Sequence, residues 1–554
     1  MIRRLVLMLL LLASSTVLVC PQETTNAAPL FEIYASTRSV TCLAAEPFLV
    51  GTTGGLRAPD GVQLSGLAIR GIAGDWLATD RGLYHRGRRF SNEPASAVAF
   101  LPSGLVSGHP RGRVKFWHLV EVVCPTSAPI HSLAWDGERL WAASLEGLWE
   151  VTPLGVREIT LSKDPLSTTL TALAARDGVV LAGTPCGVYR HRKGEWALLP
   201  GAVEISAVGL DSQGQPVVGT AGTGVFVEKD HRLVPLSGSP AEVTAVLSTP
   251  EALIVGTPHQ GAWLGREGRW IPAYSWKDEV PGNHITALSC AEGALGVGTF
   301  EDGLGVLTSS GWEHDLPAAW VNHVACRGDR ILVRTSDGSV RSGRPRGSSW
   351  QLLGRNAGWP KDWTSALGDG WVGSYSAFYV EEHNRWRVFR PKPELQGVVV
   401  TDVARWAHHL WVGSQSGLFQ LDPRDGSCRR HLGALSDSWI TGVESFDGRL
   451  WAGTFSGGLC VGTGQGWTHF RAGTSPLPSD RIHCMLATDR ALWVGTPAGL
   501  AWTDGERWEH LTAEDGLPSD TVWSLAARGD ELWVGTDSGL CRASQRRLTG
   551  EGTR

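Results

Sequence analysis

The stretches of this chain that come nearest to catalytic patterns each lack a part that the chemistry needs. Gly413–Gly417 reads GSQSG, close to the elbow that presents a nucleophilic serine. Its serine stands one place off G-x-S-x-G, and the flanking sequence is strand-like rather than helical. Gly219–Gly224, GTAGTG, has the glycines of a phosphate cradle without the helix N-terminus that would face the phosphate. His408 and His409 read as a loop pair before a strand, and no CxxC or zinc-ligand spacing occurs. No catalytic residue, metal or cofactor is therefore expected. Asp and Glu are plentiful but fall in turns, where they serve as solvated turn formers.

Another set of residues suits recognition. His284, Trp320, Val399, Trp439, Arg481 and Thr521 each stand just before an apolar stretch of one kind, such as ITALSC, ITGVES, IHCMLA or VWSLAA. Trp363 lies near the same place in a shortened copy, and Asp437, Asp480 and Asp520 precede the position by two residues or one. Indole and imidazole faces stack on sugar rings, while carboxylates and a guanidinium bond hydroxyl groups. His284, Trp320, Trp363, Trp439, Arg481, Asp437, Asp480 and Asp520 are accordingly the candidate ligand-binding residues. The competing reading is that they cap strand ends, with the aspartates of LPSD the foremost turn formers.

These residues are positioned by a repeat. A phrase of the form LWVGT-x-x-GL occurs fourteen times, and the residue at its glycine falls at 51, 78, 107, 143, 183, 219, 256, 298, 334, 373, 413, 453, 495 and 535. After two short intervals the spacing stays between 36 and 42 residues. A turn followed by Trp keeps step with it, at Trp196, Trp270, Trp312, Trp386, Trp467 and Trp508. From Ile440 one unit reads ITGVESF, RLWAGTF, LCVGT and WTHF between turns, which makes four short strands in about 40 residues. That is the blade of a β-propeller. The predicted fold is all-β, with two propellers of seven four-stranded blades each. The phrase itself is architecture, because its side chains must pack between blades while the glycine lets neighbouring sheets approach.

Composition agrees. Gly is abundant at 69 residues and Trp at 26, as expected of short strands and tight turns. A net charge of −5 argues against a nucleic-acid surface. The first twenty residues have the form of a secretory signal, with Arg3 and Arg4 ahead of the apolar Leu5–Leu12 and a plausible cleavage site at Thr25–Ala27. Val19 before Cys20 argues against a lipid anchor, and no later stretch is apolar enough to span a membrane. Nine cysteines lie beyond the signal, mostly in apolar strands, and read as small buried hydrophobes rather than bridges.

Leu477–Leu500, LPSDRIHCMLATDRALWVGTPAGL, and Leu517–Leu540, LPSDTVWSLAARGDELWVGTDSGL, closely resemble the two-component regulator propeller repeat. That repeat builds the extracytoplasmic sensor region of bacterial hybrid histidine kinases. The resemblance is strong from about Ile285 onward and degenerate but periodic before it. It implies fourteen repeats in two seven-bladed rings, and a sensor role with carbohydrate as the ligand class. Kinase-linked members continue into a membrane span and a kinase, whereas this chain stops at Arg554. A signal would therefore pass to a separate membrane or envelope protein.

The expected organisation is a signal peptide at 1–28, a first propeller at 29–275 and a second at 276–554. Leu30–Tyr34 looks like one strand outside the repeats, either completing a blade of the first ring or reaching across to the last blade. Gln545–Leu548 is the weak candidate for the outermost strand of that last blade. The expected protein is a non-enzymatic, exported (periplasmic or extracellular) sensor that binds a small polar ligand or glycan. Its rivals are an envelope protein–protein scaffold, which would expose a broad apolar patch, and a glycan hydrolase or lyase, which would need two carboxylates about 5–9.5 Å apart.

Overall fold

The computed structural model describes residues 30–550, except 46–47, 59–60, 267, 275–277, 292, 328–329, 345–349, 354–363, 369, 375–377, 383–384, 390–397, 432–434 and 464–465. Residues 1–28, expected to be a signal peptide, with Cys20 among them, and Trp363 lie outside the described residues. The strands form fourteen four-stranded antiparallel sheets, and the chain divides into two compact units of seven sheets each. Each unit is a seven-bladed propeller. Blades are numbered 1–7 in the first and 8–14 in the second.

Blade 12 shows how the repeat makes a sheet. Its strands are Ile440–Phe446, Arg449–Thr454, Leu459–Gly462 and Trp467–Phe470. Asp447 and Gly448 both have positive φ, 51° and 66°, as a two-residue hairpin turn matched to strand twist requires. The threonine of the repeated phrase closes the next turn, where the buried Thr454 Oγ1 donates to Gly458 O at 2.8 Å. The same bond recurs at Thr299, Ser414, Thr496 and Thr536.

Tryptophans fill the seams between blades. Trp451, Trp493 and Trp533 are fully buried, and the LW indoles of blades 11 and 12 meet the outer-strand Trp of the following blade. Trp411 lies 6.4 Å from Trp467, and Trp451 lies 6.0 Å from Trp508. The repeat glycine sits where sheets come closest, so that a Cβ at Gly453 would lie 2.7 Å from Ile482 Cγ2 of blade 13. Gly453→Ala should therefore cost about 1–3 kcal/mol through overpacking, read as a lower urea midpoint. An unchanged midpoint would refute this account of the glycine.

The two rings close differently. In the first, Val40 and Val50 of blade 1 pack on Ala245, Ile254 and Ala262 of blade 7. The Val40 amide also donates to Thr257 O at 2.9 Å. Every blade of this ring is one contiguous segment. In the second, Glu32–Tyr34 pairs antiparallel with Gly539–Ser544, Ile33 opposite Cys541, and is the outer strand of blade 14. Residues 30–36 thus group with the second ring, and the first begins at Thr37 rather than at 29. The N-terminal strand reaches to the last blade.

Gln545–Leu548 is a helical turn and not a strand. The edge it would have joined is occupied by residues 32–34. Ser544 accepts the Arg547 amide to start the turn, and Gln545 and Leu548 are buried.

Candidate ligand-binding mouth of the second propeller

The seven innermost strands distinguish the rings. In the first, the stretches facing the centre read CLA, GIA, AVA, SLA, ALA, AVG and AVL, all small or apolar. In the second they read ALS, HVA, ALG, DVA, GVE, CML and SLA, which brings His323, Asp402 and Glu444 to the axis. A channel cavity of about 700 Å³ runs among the seven innermost strands of the second ring. A second cavity, of about 450 Å³, lies at its mouth.

Two variable positions meet at that mouth. The residue after the repeated Gly-Thr donates its amide to the carbonyl of the residue that leads into the innermost strand. Phe300 bonds His284 O at 3.1 Å, Ser336 bonds Trp320 O at 3.0 Å, Gln415 bonds Val399 O at 3.1 Å and Phe455 bonds Trp439 O at 2.9 Å. Side chains from both positions therefore project as neighbours on one face.

There they stack. Ring centroids follow one another from His483 to Trp523 (4.2 Å, planes 1° apart), His284 (5.9 Å), Phe300 (5.1 Å, 14°) and Trp320 (4.4 Å). This arc of five rings crosses blades 13, 14, 8 and 9. A second stack lies on blades 12 and 13, where Trp439 is 4.4 Å from Phe455 at 12°, and the Arg481 guanidinium lies 4.2 Å from the same Phe. Trp320, Trp439 and Trp523 keep 42%, 38% and 37% of their surface in water, which is unusual for so many large aromatics on one rim.

Below the rim, polar atoms are buried without partners. Among the described residues six blades tie to the next through a hydroxyl, as Thr401 Oγ1 does to Ile440 O at 2.7 Å. At the equivalent places Asn322 Oδ1, Ser365 Oγ and Thr441 Oγ1 have no partner, nor do His323 Nδ1, His483 Nε2 and Ser524 Oγ. His483 Nδ1 lies 3.0 Å from Val522 O and must carry the proton, so its Nε2 is an acceptor facing the mouth. Six such atoms around one channel form a ready hydrogen-bonding set, since buried polar groups are ordinarily satisfied.

Burial sets the charges. It depresses His284 and His483, and it drives His323 down to about 3 with help from Arg334. All three imidazoles are neutral at pH 7. Burial raises Asp402 to about 6 against two amide bonds, from Val403 and Val443, each 2.8 Å. Glu444 is pushed up to about 8, by burial first and the Asp402 charge second.

The aspartates chosen from sequence are engaged locally. Asp437 accepts from the Trp439 amide and from both the amide and the hydroxyl of Ser456. Burial acts to raise it, but those bonds hold it below its ordinary value. Asp480 Oδ1 and Asp520 Oδ1 accept the amides of Ala472 and Ala513, each at 2.7 Å. All three carboxylates pin loops. The aromatic and cationic members are brought together on the mouth, except Trp363, which directly precedes the strand Thr364–Gly368 but lies outside the described residues. The sequence reading missed Phe300 and Phe455, both visible as the Phe of GTF, and also His323, Arg334, His483 and Trp523. His409 Nδ1 sits against Ala407 O in a turn, and among the described residues no three metal-ligating side chains converge. None of the nine cysteines after Cys20 is in a disulfide among the described residues.

No family model matches this chain, and no curated protein matches its sequence. Solved structures are similar to it. PorZ, an essential surface component of the type IX secretion system of Porphyromonas gingivalis, aligns over 93% of this chain and 87% of its own at 12% identity, TM-score 0.63. An ancestral GH74 enzyme aligns over 94% and 99% at 13% identity, TM-score 0.65. The extracellular domain of a hybrid two-component system from B. thetaiotaomicron covers 95% and 84% at 14% identity, with a TM-score of 0.43. At these identities the first two share the fold with this chain, and a shared propeller leaves function to the site.

Proposed function

We propose that this is an exported, non-catalytic propeller protein that binds a polar, hydroxyl-rich ligand, carbohydrate foremost, at the mouth of the second ring. The bound state would be communicated to a separate membrane or envelope protein. One observation carries the reading: a five-ring aromatic arc stands over a channel whose walls hold six buried, unpartnered polar atoms. Ring faces offer stacking surfaces for a sugar, and the atoms below offer donors and acceptors for its hydroxyls. The small, apolar inner strands of the first ring suit a supporting role.

A glycan array followed by thermal-shift titration of the secreted protein tests the reading. A hit should raise the melting temperature of the wild type, and the shift should fall at least tenfold in dose response in Trp320→Ala and Trp523→Ala. Both indoles are partly exposed, so the variants should fold. Partners recovered by crosslinking, with no glycan hit, would favour the scaffold instead.

Asp402 and Glu444 lend some support to a second, hydrolytic reading, because they line one cavity and burial raises their pKa values by different amounts. Against it, both Asp402 oxygens hold strand amides, a bracing job rather than that of a free nucleophile or base. Glycan cleavage lost in Glu444→Gln would establish hydrolysis.

A further inference from the structure

The first ring fills the same two positions with different chemistry. Where the second ring places Phe300 and Phe455 after the repeated Gly-Thr, blades 4 and 5 place Leu145 and Pro185. Where it places Trp439 ahead of an innermost strand, blades 4 and 6 place Pro129 and Glu204. The backbone frame is unchanged, since the Ala221 amide donates to Glu204 O at 3.0 Å as the Phe455 amide does to Trp439 O. These positions share one face of the first ring with the loops that join blades 4, 5 and 6.

On that face Leu145, Leu166 and Val203 keep 55%, 57% and 56% of their surface in water. Neighbouring loops there are tied together. The Cys186 thiol lies 3.6 Å from Asp164 Oδ2, and the Glu204 amide donates to Pro185 O at 2.8 Å. Leu166 rides the helical turn Pro165–Thr168, where Asp164 Oδ1 accepts the Leu166 amide and the buried Ser167 hydroxyl donates to Asp164 O at 2.6 Å. Val203 precedes Glu204, which holds a φ of 56° that residues other than glycine seldom adopt. Single exposed leucines are ordinary on any protein. Three large apolar side chains on adjoining, pinned loops of one face have the form of a docking surface.

Charge narrows the occupant. These loops carry four exposed carboxylates, Glu146, Asp164, Glu204 and Glu242, against one exposed ammonium, Lys163. Glu146 accepts from the hydroxyls of Thr126 and Ser127, which hold it ionised well below the usual carboxylate range. An excess of negative charge repels an anionic membrane surface and attracts a basic protein surface. No aromatic residue lies in these loops, so a sugar would find no ring to stack on.

We propose that this face of the first propeller docks a basic, apolar-anchored segment of a partner protein, with Leu145, Leu166 and Val203 as the apolar contact and Glu146, Glu204 and Glu242 as the matching charges. The surface shares no residue with the mouth of the second ring and does not depend on what binds there.

A phage-displayed library of peptides of roughly twelve residues, selected on the purified full chain, tests the proposal. Selected peptides should combine Leu, Ile or Phe with several Lys or Arg. The affinity of the leading peptide, read by fluorescence anisotropy, should fall about tenfold in Leu166→Ser and in Val203→Ser. Glu204→Lys should weaken it by a similar factor, and so should raising the salt from about 50 to 300 mM. Leu154→Ser, on the turn at the other end of blade 4, should leave it unchanged. All the replaced side chains are exposed, so the variants should fold, and an unchanged melting temperature checks that they do. Selection that yields no peptide, or only acidic or uncharged ones, overturns the proposal, as does binding that survives both serine variants. Self-association in sedimentation, lost in Leu166→Ser, overturns it in favour of a second copy of this chain. Flotation with phosphatidylglycerol vesicles, lost in the same variant, overturns it in favour of a membrane. None of these results touches the polar-ligand reading of the second ring, and an empty glycan array leaves this proposal standing.

Discussion

Removing residues 30–36 should unfold the second propeller at a markedly lower temperature and leave the transition of the first in place. The strand Glu32–Tyr34 supplies the fourth strand of blade 14, and Phe31 is 4% exposed in a core with Trp493, Trp502 and Leu532. Tyr34 sits in the closing seam, 5.3 Å from Trp533 of blade 14 and 6.5 Å from Trp312 of blade 8. Ser36 and Asn283 exchange two hydrogen bonds, of 2.6 and 3.0 Å, at the start of blade 8. Emptying the Phe31 site alone, as in Phe31→Ala, should cost about 3–5 kcal/mol. In a ring of this size that is a fall on the order of 10 °C in Tm. The ion pair of Arg542 with Glu32 is largely solvated, so Glu32→Ala should cost under about 1 kcal/mol. Scanning calorimetry separates the outcomes, and deletion of 30–36 with both transitions unchanged would show that the ring closes by some other contact. The deletion should also bare the edge of Gly539–Ser544 and promote aggregation.

That closure was only half legible in the sequence, for a physical reason. A blade built from one segment announces itself through its period, as Ile440–Phe470 does. The strand that closes a ring is a single lap of backbone pairing across more than 500 residues, and three residues such as Glu32–Tyr34 contain no periodic signal. Their assignment was open between the two rings for that reason. Gln545–Leu548 followed from the same ambiguity: a fourth strand was needed, and the edge had already been filled from elsewhere.

The candidate site divides along similar lines. His284, Trp320, Trp439 and Arg481 could be found because they hold a fixed offset from a well-marked strand, and the structure sets them beside one another on the rim. Trp523 could not be placed from the pattern. It sits in the register shift between Val522 and Ser524, where a bulged residue leaves the two-residue alternation and its direction is no longer set by period. Arg334 was visible as a break in the phrase, yet its consequence depends on Thr364 across the seam, a contact that exists only once the blades are assembled. The aspartates were conspicuous for the opposite reason, since turn formers recur wherever turns recur.

Glu444→Gln should stabilise the second propeller progressively as the pH rises, by little at pH 5 and by up to about 4 kcal/mol at pH 9. The sign follows from the direction of the shift. The carboxyl goes from an ordinary 4.5 to about 8 because burial in the channel wall, and then the charge of Asp402, disfavour its ionised form. Between those two values the folded chain retains a proton that the unfolded chain has released, so wild-type stability falls as pH rises through that window. Glutamine keeps an acceptor for the Ala487 amide that Glu444 engages and cannot ionise. Asp402, raised to about 6, adds a loss of the same sign between its ordinary 3.8 and 6. His323, driven down to about 3, acts oppositely and costs stability as pH drops below its ordinary 6.5. Both remain in the variant, so the difference between the two proteins isolates Glu444. Urea unfolding at pH 5, 7 and 9 measures it. Parallel curves would mean that the carboxyl finds solvent or a counter-charge when it ionises. A gap that widens with pH would establish a protonated acid held beneath the mouth, available at pH 7 as a hydrogen-bond donor to whatever occupies the channel.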